Sequence, residues 1–530
     1  MTASTNFSAG TVVTSNWLNA VDSTVFDDVF NVKNYGAIGN GTTDDTTAIQ
    51  DAIDAAEANG GGLVLLPPGT YLVSDTLIVD NHGVRIIGSG MWNTTIKRTT
   101  DYGDTLFFSG NETTGDVVVG VGVEELGFLS TGLTTSGAHV RFNGAARVNV
   151  VSIYFRDGFI GIQADGLMAA SISNIYLVFS QLYGGSSSGR RYMQFGAATA
   201  FPHPSSGDVF ISDFNVRSTT SANVIEYGIN INAADGLWFS NGHVGNTVTA
   251  NIRIAGPTTD ILNLIWFDTV FSDEGTGSGL IFDSYAGLGF RTVQFSNCLF
   301  KSSGSPVAYA DNGIVIASGC TMDGLYMNNC VITEYGGTGV SIQSTTARNM
   351  VFSNCIVRGN GRNAVDTYPG YNLLAGVKNV SIIGGIAGQS HASSAVGTQS
   401  YGIQFSTGHE NIIVSGVNLT GNTLGSVNGG TTVVGVLDNC LTQESTTIAS
   451  ATTLTIPTGG DVFTISGTTN IEQIPASRAG RRITLIFQGV LTVVDGSNLK
   501  IAGNFTTTAD DCLTLVSDGT NWIETSRSAN

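Results

Sequence analysis

Phe295-Ser296-Asn297-Cys298-Leu299-Phe300, Met327-Asn328-Asn329-Cys330-Val331-Ile332 and Phe352-Ser353-Asn354-Cys355-Ile356-Val357 are copies of one six-residue phrase. Looser copies occupy residues 211–216, 239–244, 267–271, 382–387 and 414–419. They recur at steps of about 25 to 32 residues, the period of a solenoid in which each copy is one rung of a coil. A glycine-led apolar run precedes the phrase in most turns: Gly228-Ile229-Asn230-Ile231, Gly279-Leu280-Ile281-Phe282, Gly313-Ile314-Val315-Ile316, Gly339-Val340-Ser341-Ile342 and Gly402-Ile403-Gln404-Phe405. Two or three short strands per turn, with Gly, Asn and Ser at the corners, predict an all-β chain wound as a parallel β-helix.

Composition supports that reading. Among 530 residues there are 69 Gly and 9 Pro, and only 12% are charged, which suits tight corners between stacked strands rather than amphipathic helices. Net charge is −19 and no basic stripe is visible along the chain, so a nucleic-acid partner is not expected. An anionic polymer would be repelled at long range unless a local basic cleft received it. The six cysteines form no CxxC pair and no metal-ligand spacing. Cys298, Cys330 and Cys355 recur at one point of successive turns and are expected as stacked, free core thiols, in keeping with assembly in a reducing cytoplasm. Neither a metal nor a cofactor is expected, and Gly60-Gly61-Gly62 lacks the Lys-Ser/Thr that completes a phosphate loop. Met1 to Thr5 lacks the basic and apolar regions of a signal peptide, and no run of 18 apolar residues offers a membrane span.

Three regions are expected. Residues 1–28 are polar with a small apolar cluster and read as an attachment segment. Residues 29–440 form the solenoid, opened by a helix from Asp44 to Ala58 whose Ala48, Ile49, Ala52, Ile53 and Ala56 share one face. That face would plug the N-terminal end of the coil, where an uncovered rung exposes unpaired backbone and apolar side chains. Thr43, Asp44 and Asp45 supply the N-cap and first-turn acids. Residues 441–530 alternate more strictly between short Gly, Asp and Asn turns and predict a small antiparallel β module.

The stretches Phe30-Asn31-Val32-Lys33-Asn34-Tyr35-Gly36-Ala37, Gly41-Thr42-Thr43-Asp44-Asp45-Thr46-Thr47-Ala48-Ile49-Gln50 and Gly60-Gly61-Gly62-Leu63-Val64-Leu65-Leu66-Pro67-Pro68-Gly69-Thr70-Tyr71 resemble the N-terminal signature of the pectate-lyase-like right-handed β-helix superfamily. The resemblance covers about 50 residues and carries fold, not catalysis: its acids cap a helix. Gly10 to Asn19 resembles the segment preceding this domain in bacteriophage tailspikes. Gly480 to Phe487 and Asp518 to Trp522 resemble a terminal β module of phage appendages. Together these imply a homotrimeric tailspike, carried on the virion tail through an adaptor or the short N-terminal segment, that binds and usually cuts a bacterial surface polysaccharide.

Stacking the repeats aligns the residues that follow each phrase. One column reads Arg217, Gly245, Ser272, Lys301, Thr333 and Arg358; the next reads Ser218, Asn246, Asp273, Ser302, Glu334 and Gly359. With coils about 4.8 Å apart, Asp273 and Glu334 would hold carboxylates about 9 to 10 Å apart. Inverting glycosidases need about 6.5 to 9.5 Å, so Glu334 is expected as general acid beside Tyr335 and Asp273 or its neighbour Glu274 as the base, or the two roles reversed. Lys301 and Arg358 would hold substrate oxygens, and Tyr335 would stack on a sugar. The alternative is that these are ordinary solvated charges on the loop side of the coil. Glu226, in a phrase echoing Glu334, is a further groove acid. Asp213 and Asp268 are placed on the asparagine ladder at a corner. His243 is read as structural. The insertion from Gly184 to Pro204, with Arg190 and Arg191, is either an overhang of the cleft or a surface loop.

The leading reading is hydrolysis of capsule or O-chain polysaccharide by the carboxylate pair. Its rival is a lyase, in which Lys301, Arg358 or Tyr335 removes a proton beside a uronate or neutralises its carboxylate. A receptor-binding fibre without catalysis is the third.

Overall fold

The computed structural model describes residues 28–529 apart from short segments, of which the longest are 180–187, 197–205, 303–311 and 389–398. The N-terminal attachment segment, all but its last residue, lies outside the described residues, as does much of the 184–204 insertion.

The repeat is a parallel β-helix with three faces per coil. Glycine-led strands such as Ile314–Ile316, Val340–Ile342 and Tyr371–Leu373 stack in parallel as the first face. Cys320–Asn328, Arg348–Ser353 and Lys378–Ile383 stack as the second. Leu299–Lys301, Val331–Thr333 and Ile356–Arg358 stack as the third. In the middle coils the second and third faces are one bent strand, as in Ala234–Gly245 and Leu262–Asp273.

The bend sits where the backbone turns left-handed, at Asp213, Asn241, Thr269, Asn297, Asn329 and Asn354. Asparagine tolerates that conformation better than other side chains, and neighbouring amides bond along the axis, Asn329 Nδ2 donating to Asn297 Oδ1 at 3.4 Å. Asp213 occupies this ladder. Asp268 does not: it pairs in register with Ser296, and its carboxylate accepts from Asn297 Nδ2 at 2.9 Å. A second ladder opens the second face, where Asn379 donates to Asn349 at 3.0 Å and Asn411 to Asn379 at 2.9 Å.

Apolar rings run down the interior, with Phe239 on Phe267 at 4.5 Å and Phe267 on Phe295 at 4.8 Å, their planes nearly parallel. Cys298, Cys330 and Cys355 are buried free thiols beside them. The glycine that leads each first-face strand answers to space rather than to backbone angle. A Cβ on Gly228 would meet Val244 Cγ2 at 2.3 Å, and one on Gly339 would meet Val357 Cγ1 at 2.4 Å. The end of each third-face strand lies against the start of the first-face strand that opens the same coil.

The helix spans Thr46–Ala58, two residues shorter than expected, and buries Ile49, Ala52, Ile53 and Ala56 on the terminal coil. Asp45 is fully buried but does not cap it. Its carboxylate accepts from the backbone N–H groups of Ile38 and Gly39 at 2.6 and 3.0 Å, pinning the loop before the helix.

Residues from Thr447 onward have their own core, including Phe463, Leu485, Leu515 and Trp522. The expected antiparallel module is in fact mixed. Thr447–Ala449, Val462–Ser466 and Arg482–Phe487 pair in parallel, while Cys512–Ser517 joins its two neighbours antiparallel and Thr492–Val493 pairs antiparallel with Phe505–Thr506. Strict alternation predicts a half-buried strand but not its direction, which depends on how far the connection travels.

Candidate functional site

The outer surface of the third face presents two adjoining columns of side chains. One runs Tyr154, Tyr176, Asn215, His243, Phe271 and Leu299 from coil to coil. The other runs Lys97, Leu129, Arg156, Val178, Arg217, Gly245 and Asp273. It continues through Lys301, one residue beyond the Ser272–Phe300 pair, to Thr333 and Arg358. Five cations thus share one line in a chain of net charge −19. The sequence conceals this basic line because its members are far apart in the chain.

The register corrects the expected columns by one residue. Asp273, not Ser272, stands opposite Gly245 and in line with Lys301. Ser272 points inward, where its Oγ donates to the Gly279 carbonyl and accepts from Asn251 Nδ2, each at 3.1 Å. A serine occupies the core position that Val244 and Phe300 fill in adjacent coils, so the inward residue reads as an outward one. Glu274 consequently takes the place assigned to Asp273, in line with Asn246, Glu334 and Gly359. These four share a left-handed backbone, with φ of 57° at Glu274 and 65° at Glu334. Asn246 Nδ2 donates to the Glu274 carboxylate at 3.3 Å.

His243 and Asp273 form the tightest polar contact on this face, with Nε2 2.5 Å from Oδ1. Both side chains keep about a quarter of their surface exposed, at 22% and 26%. The Asp273 backbone is fixed in turn, its carbonyl accepting from Asn251 Nδ2 at 2.9 Å. Beside the pair, Glu334 lies between two cations: Arg362 at 3.3 Å and Lys301 at 4.0 Å. Arg358 is exposed at the end of the line. Toward the N-terminal coils the face becomes aromatic: Trp92, 61% exposed, packs on Tyr154 at 4.3 Å, and Tyr154 stacks on Tyr176 at 5.8 Å.

Asp273, Glu274, Glu334, Lys301 and Arg358 are therefore brought together, and two expected members are not. Tyr335 lies inside the coil, 1% exposed, with its hydroxyl against Gly279. Burial drives its phenol well above the ordinary range. It neither offers a ring to a sugar nor stands beside the Glu334 carboxylate. The left-handed residue at 334 turns the chain, so the next side chain points inward. Glu226 is on the first face, where it pairs with Arg191 at 3.6 Å and accepts from the Gly189 N–H at 2.6 Å. Its echo of Glu334 is coincidental: Tyr227 is paired with Arg191 in the sheet. Arg191 itself opens the first-face strand Arg191–Phe195 and Arg190 is buried, so neither overhangs the third face.

His243 is the member that sequence reasoning missed. The signal was present: between buried Val244 and the corner, alternation turns residue 243 outward, as it does Phe271 and Leu299.

Residues 29–181 match the sequence family described as rhamnogalacturonase A/epimerase, pectate lyase-like. The match covers the N-terminal coils. Mannuronan C5-epimerase AlgE3 of Azotobacter vinelandii is 41% identical over 126 residues, which are 23% of this chain and 6% of that protein. Alginate lyase 7 of the same organism is 51% identical over 74 residues, 13% of this chain and 9% of its own length. The matched part is thus a small fraction of each curated relative. Tailspike protein 3 of bacteriophage CBA120 has a similar fold, with a TM-score of 0.50 at 15% identity over 79% of this chain and 62% of its own. The family match ends before His243 and Asp273, so it covers the aromatic end of the third face but not the ionic centre.

Proposed function

We propose that this chain is a phage tailspike that binds a bacterial surface polysaccharide along its third face and cleaves it there. The observation that carries the reading is the His243–Asp273 pair, set at 2.5 Å in the middle of a line of cations and beside an aromatic platform. Aromatic faces take sugar rings, cations take carboxylates and hydroxyls, and a carboxylate-held imidazole moves a proton. The fold likeness to a tailspike and the phage-like terminal segments support placement on a virion tail as a homotrimer acting at the bacterial surface.

Two bond-breaking routes use these groups. In β-elimination, His243 takes the proton next to a uronate carboxylate, the carbon–carbon double bond forms as the neighbouring glycosidic C–O bond breaks, and the imidazolium returns the proton to the leaving oxygen. Asp273 steadies the imidazolium through Nε2, leaving Nδ1, the nitrogen turned away from it, to do the exchange. Lys301 or Arg217, the cations in line on either side of Asp273, neutralise the substrate carboxylate. The identity with an alginate lyase over 74 residues supports an acidic polysaccharide as the polymer, the kind this route requires. Hydrolysis is the second reading. Asp273 would activate water and Glu334 protonate the leaving oxygen two coils away, about 9 to 10 Å along the axis. The ion pairs of Glu334 with Arg362 and Lys301 weigh against it, because a general acid must carry a proton.

The test is digestion of purified capsule and O-polysaccharide panels, following ultraviolet absorbance and reducing ends together, with His243→Ala, Asp273→Asn and Glu334→Gln beside the parent. Elimination predicts unsaturated, absorbing ends that vanish in the first two variants. New reducing ends without absorbance, lost in Asp273→Asn and Glu334→Gln, establish hydrolysis. A polymer that binds and stays intact makes the chain an adhesin.

A further inference from the structure

The position that leads each first-face strand is one the repeat keeps free of side chain. Its register column runs from Gly161 through Gly228, Gly279, Gly313, Gly339 and Gly370 to Gly402, and between those ends only Tyr192 and Asn251 depart from glycine. Both departures are enclosed in the coil, Tyr192 at 0% and Asn251 at 2% exposure. Each uses its polar end to hold a third-face carbonyl. Tyr192 Oη donates to the Gly245 carbonyl at 3.1 Å, and Asn251 Nδ2 donates to the Asp273 carbonyl at 2.9 Å. Gly245 closes the strand that carries His243, and Asp273 is the partner of His243. The two exceptions to the glycine rule therefore grip the two strands of the ionic pair.

The coil that Asn251 opens is altered to suit it. Ser272 stands where Val244 and Phe300 stand in the adjacent coils, and its Oγ accepts from Asn251 Nδ2 at 3.1 Å. Thr247 Oγ1 donates to Asn251 Oδ1 at 2.9 Å, which fixes the end of the amide that faces Asp273. A buried polar knot costs stability unless every member is bonded, and glycine with valine closes the neighbouring coil without one. A local rule broken with its compensation beside it marks a functional demand. Outside the coil, Gly245 supplies the complementary space: a Cβ there would meet the Asp273 carbonyl at 2.6 Å and its Oδ1, the oxygen held by His243, at 3.0 Å.

We propose that Asn251 and Tyr192 are positioning residues for the His243–Asp273 pair. From inside the core they fix the backbone of two adjacent coils so that Nε2 and Oδ1 meet across them, and Gly245 leaves the room for that contact. The catalytic consequence rests on the reading of the third face as the cleaving face; the geometric one does not. Because substrate is held by the cation line and not by these residues, loosening them acts on kcat and leaves KM.

The test is Asn251→Gly/Ser272→Val, which rewrites this coil in the pattern of Gly228 and Val244, with circular dichroism as the fold control. The variant is expected to stay folded and to lose about ten-fold or more in kcat with KM within about two-fold. Placed on Asp273→Asn, the same double change is expected to cost almost nothing further, because its effect passes through Asp273. Tyr192→Phe, which removes a single oxygen, is expected to lower kcat several-fold and keeps the test open should the double variant misfold. Unchanged kcat in these variants, or an equal fall on the Asp273→Asn background, would overturn the proposal. If the parent cuts no polymer, crystal structures of parent and variant decide. The His243–Asp273 contact is expected to open beyond hydrogen-bond reach, about 3.5 Å, and a contact unchanged in the variant would overturn the proposal whatever the third face does.

Discussion

At the residue scale, the distinction that matters is which way a side chain points at a corner. Tyr335 and Glu334 are neighbours, yet one is buried in the coil and the other is held between two cations outside it. Tyr335→Phe is therefore expected to leave kcat/KM within about two-fold, whereas His243→Ala and Asp273→Asn are expected to lower it by about 10² or more. Steady-state kinetics on whichever polymer is cleaved will separate them, and a large loss in Tyr335→Phe would contradict the orientation. A buried group gives a second expectation. Burial among Phe128 and Phe155 pushes the His139 imidazole down to about 4 from 6.5. The unfolded chain takes up a proton near pH 6.5 and the folded chain only near 4, so stability falls as pH drops through that window and levels off below it. His139→Phe should flatten the slope of denaturant midpoint against pH between those values.

Sequence reasoning at this scale recovered most of the ionic cluster and missed its centre. Asp273, Glu274, Glu334, Lys301 and Arg358 were legible because charges stand out after an apolar phrase. His243 was not, because it falls inside the phrase, and Ser272 hid the register by being polar in a core position.

At the element scale, each rung is shaped by two corners with opposite needs. The left-handed bend between second and third faces wants asparagine, which the sequence displays openly in Asn297, Asn329 and Asn354. The start of the first face wants no side chain at all, because the third-face strand that closes the same coil lies against it. Gly339→Ala should accordingly lower stability by about 1–3 kcal/mol, the cost of overpacking a closed core. The same substitution at Gly480, where nothing lies within 4 Å but φ is +81°, tests backbone strain alone and should cost about 1 kcal/mol. Thermal unfolding of the two variants gives the comparison, and equal small losses would mean that the Gly339 contact relaxes. The glycine-led strands were readable from the sequence; the reason for the glycine, a contact with a strand in the same coil, was not. Strand direction in the C-terminal sheet was likewise invisible, because alternation carries no information about the partner.

At the scale of the whole molecule, the β-helix makes a long ruler with three different faces. One carries the cation line, His243–Asp273 and the aromatic platform; one carries exposed aromatic side chains, Phe210, Trp266 and Tyr326 among them; one carries ion pairs of the kind Arg253 makes with Asp283 at 2.8 Å. Periodicity alone announces the ruler, and the faces emerge only once the register is known to the residue. If the cation line receives an acidic polymer, its apparent KM should rise with salt, steeply below about 0.15 M where exposed charges are poorly screened. Arg358→Ala should weaken that dependence with kcat little changed, whereas Arg217→Ala, at a cation assigned to the substrate carboxylate, should lower kcat as well.

The most direct test of the account is the structure of the protein bound to an oligosaccharide drawn from its own digestion products, with Asp273→Asn used to hold the substrate intact. The account predicts a saccharide along the third face, crossing His243 with a scissile bond within hydrogen-bond reach of its ring and extending toward Trp92 or Arg358. A saccharide seated on the first or second face, or one that passes the third without approaching His243, would contradict it.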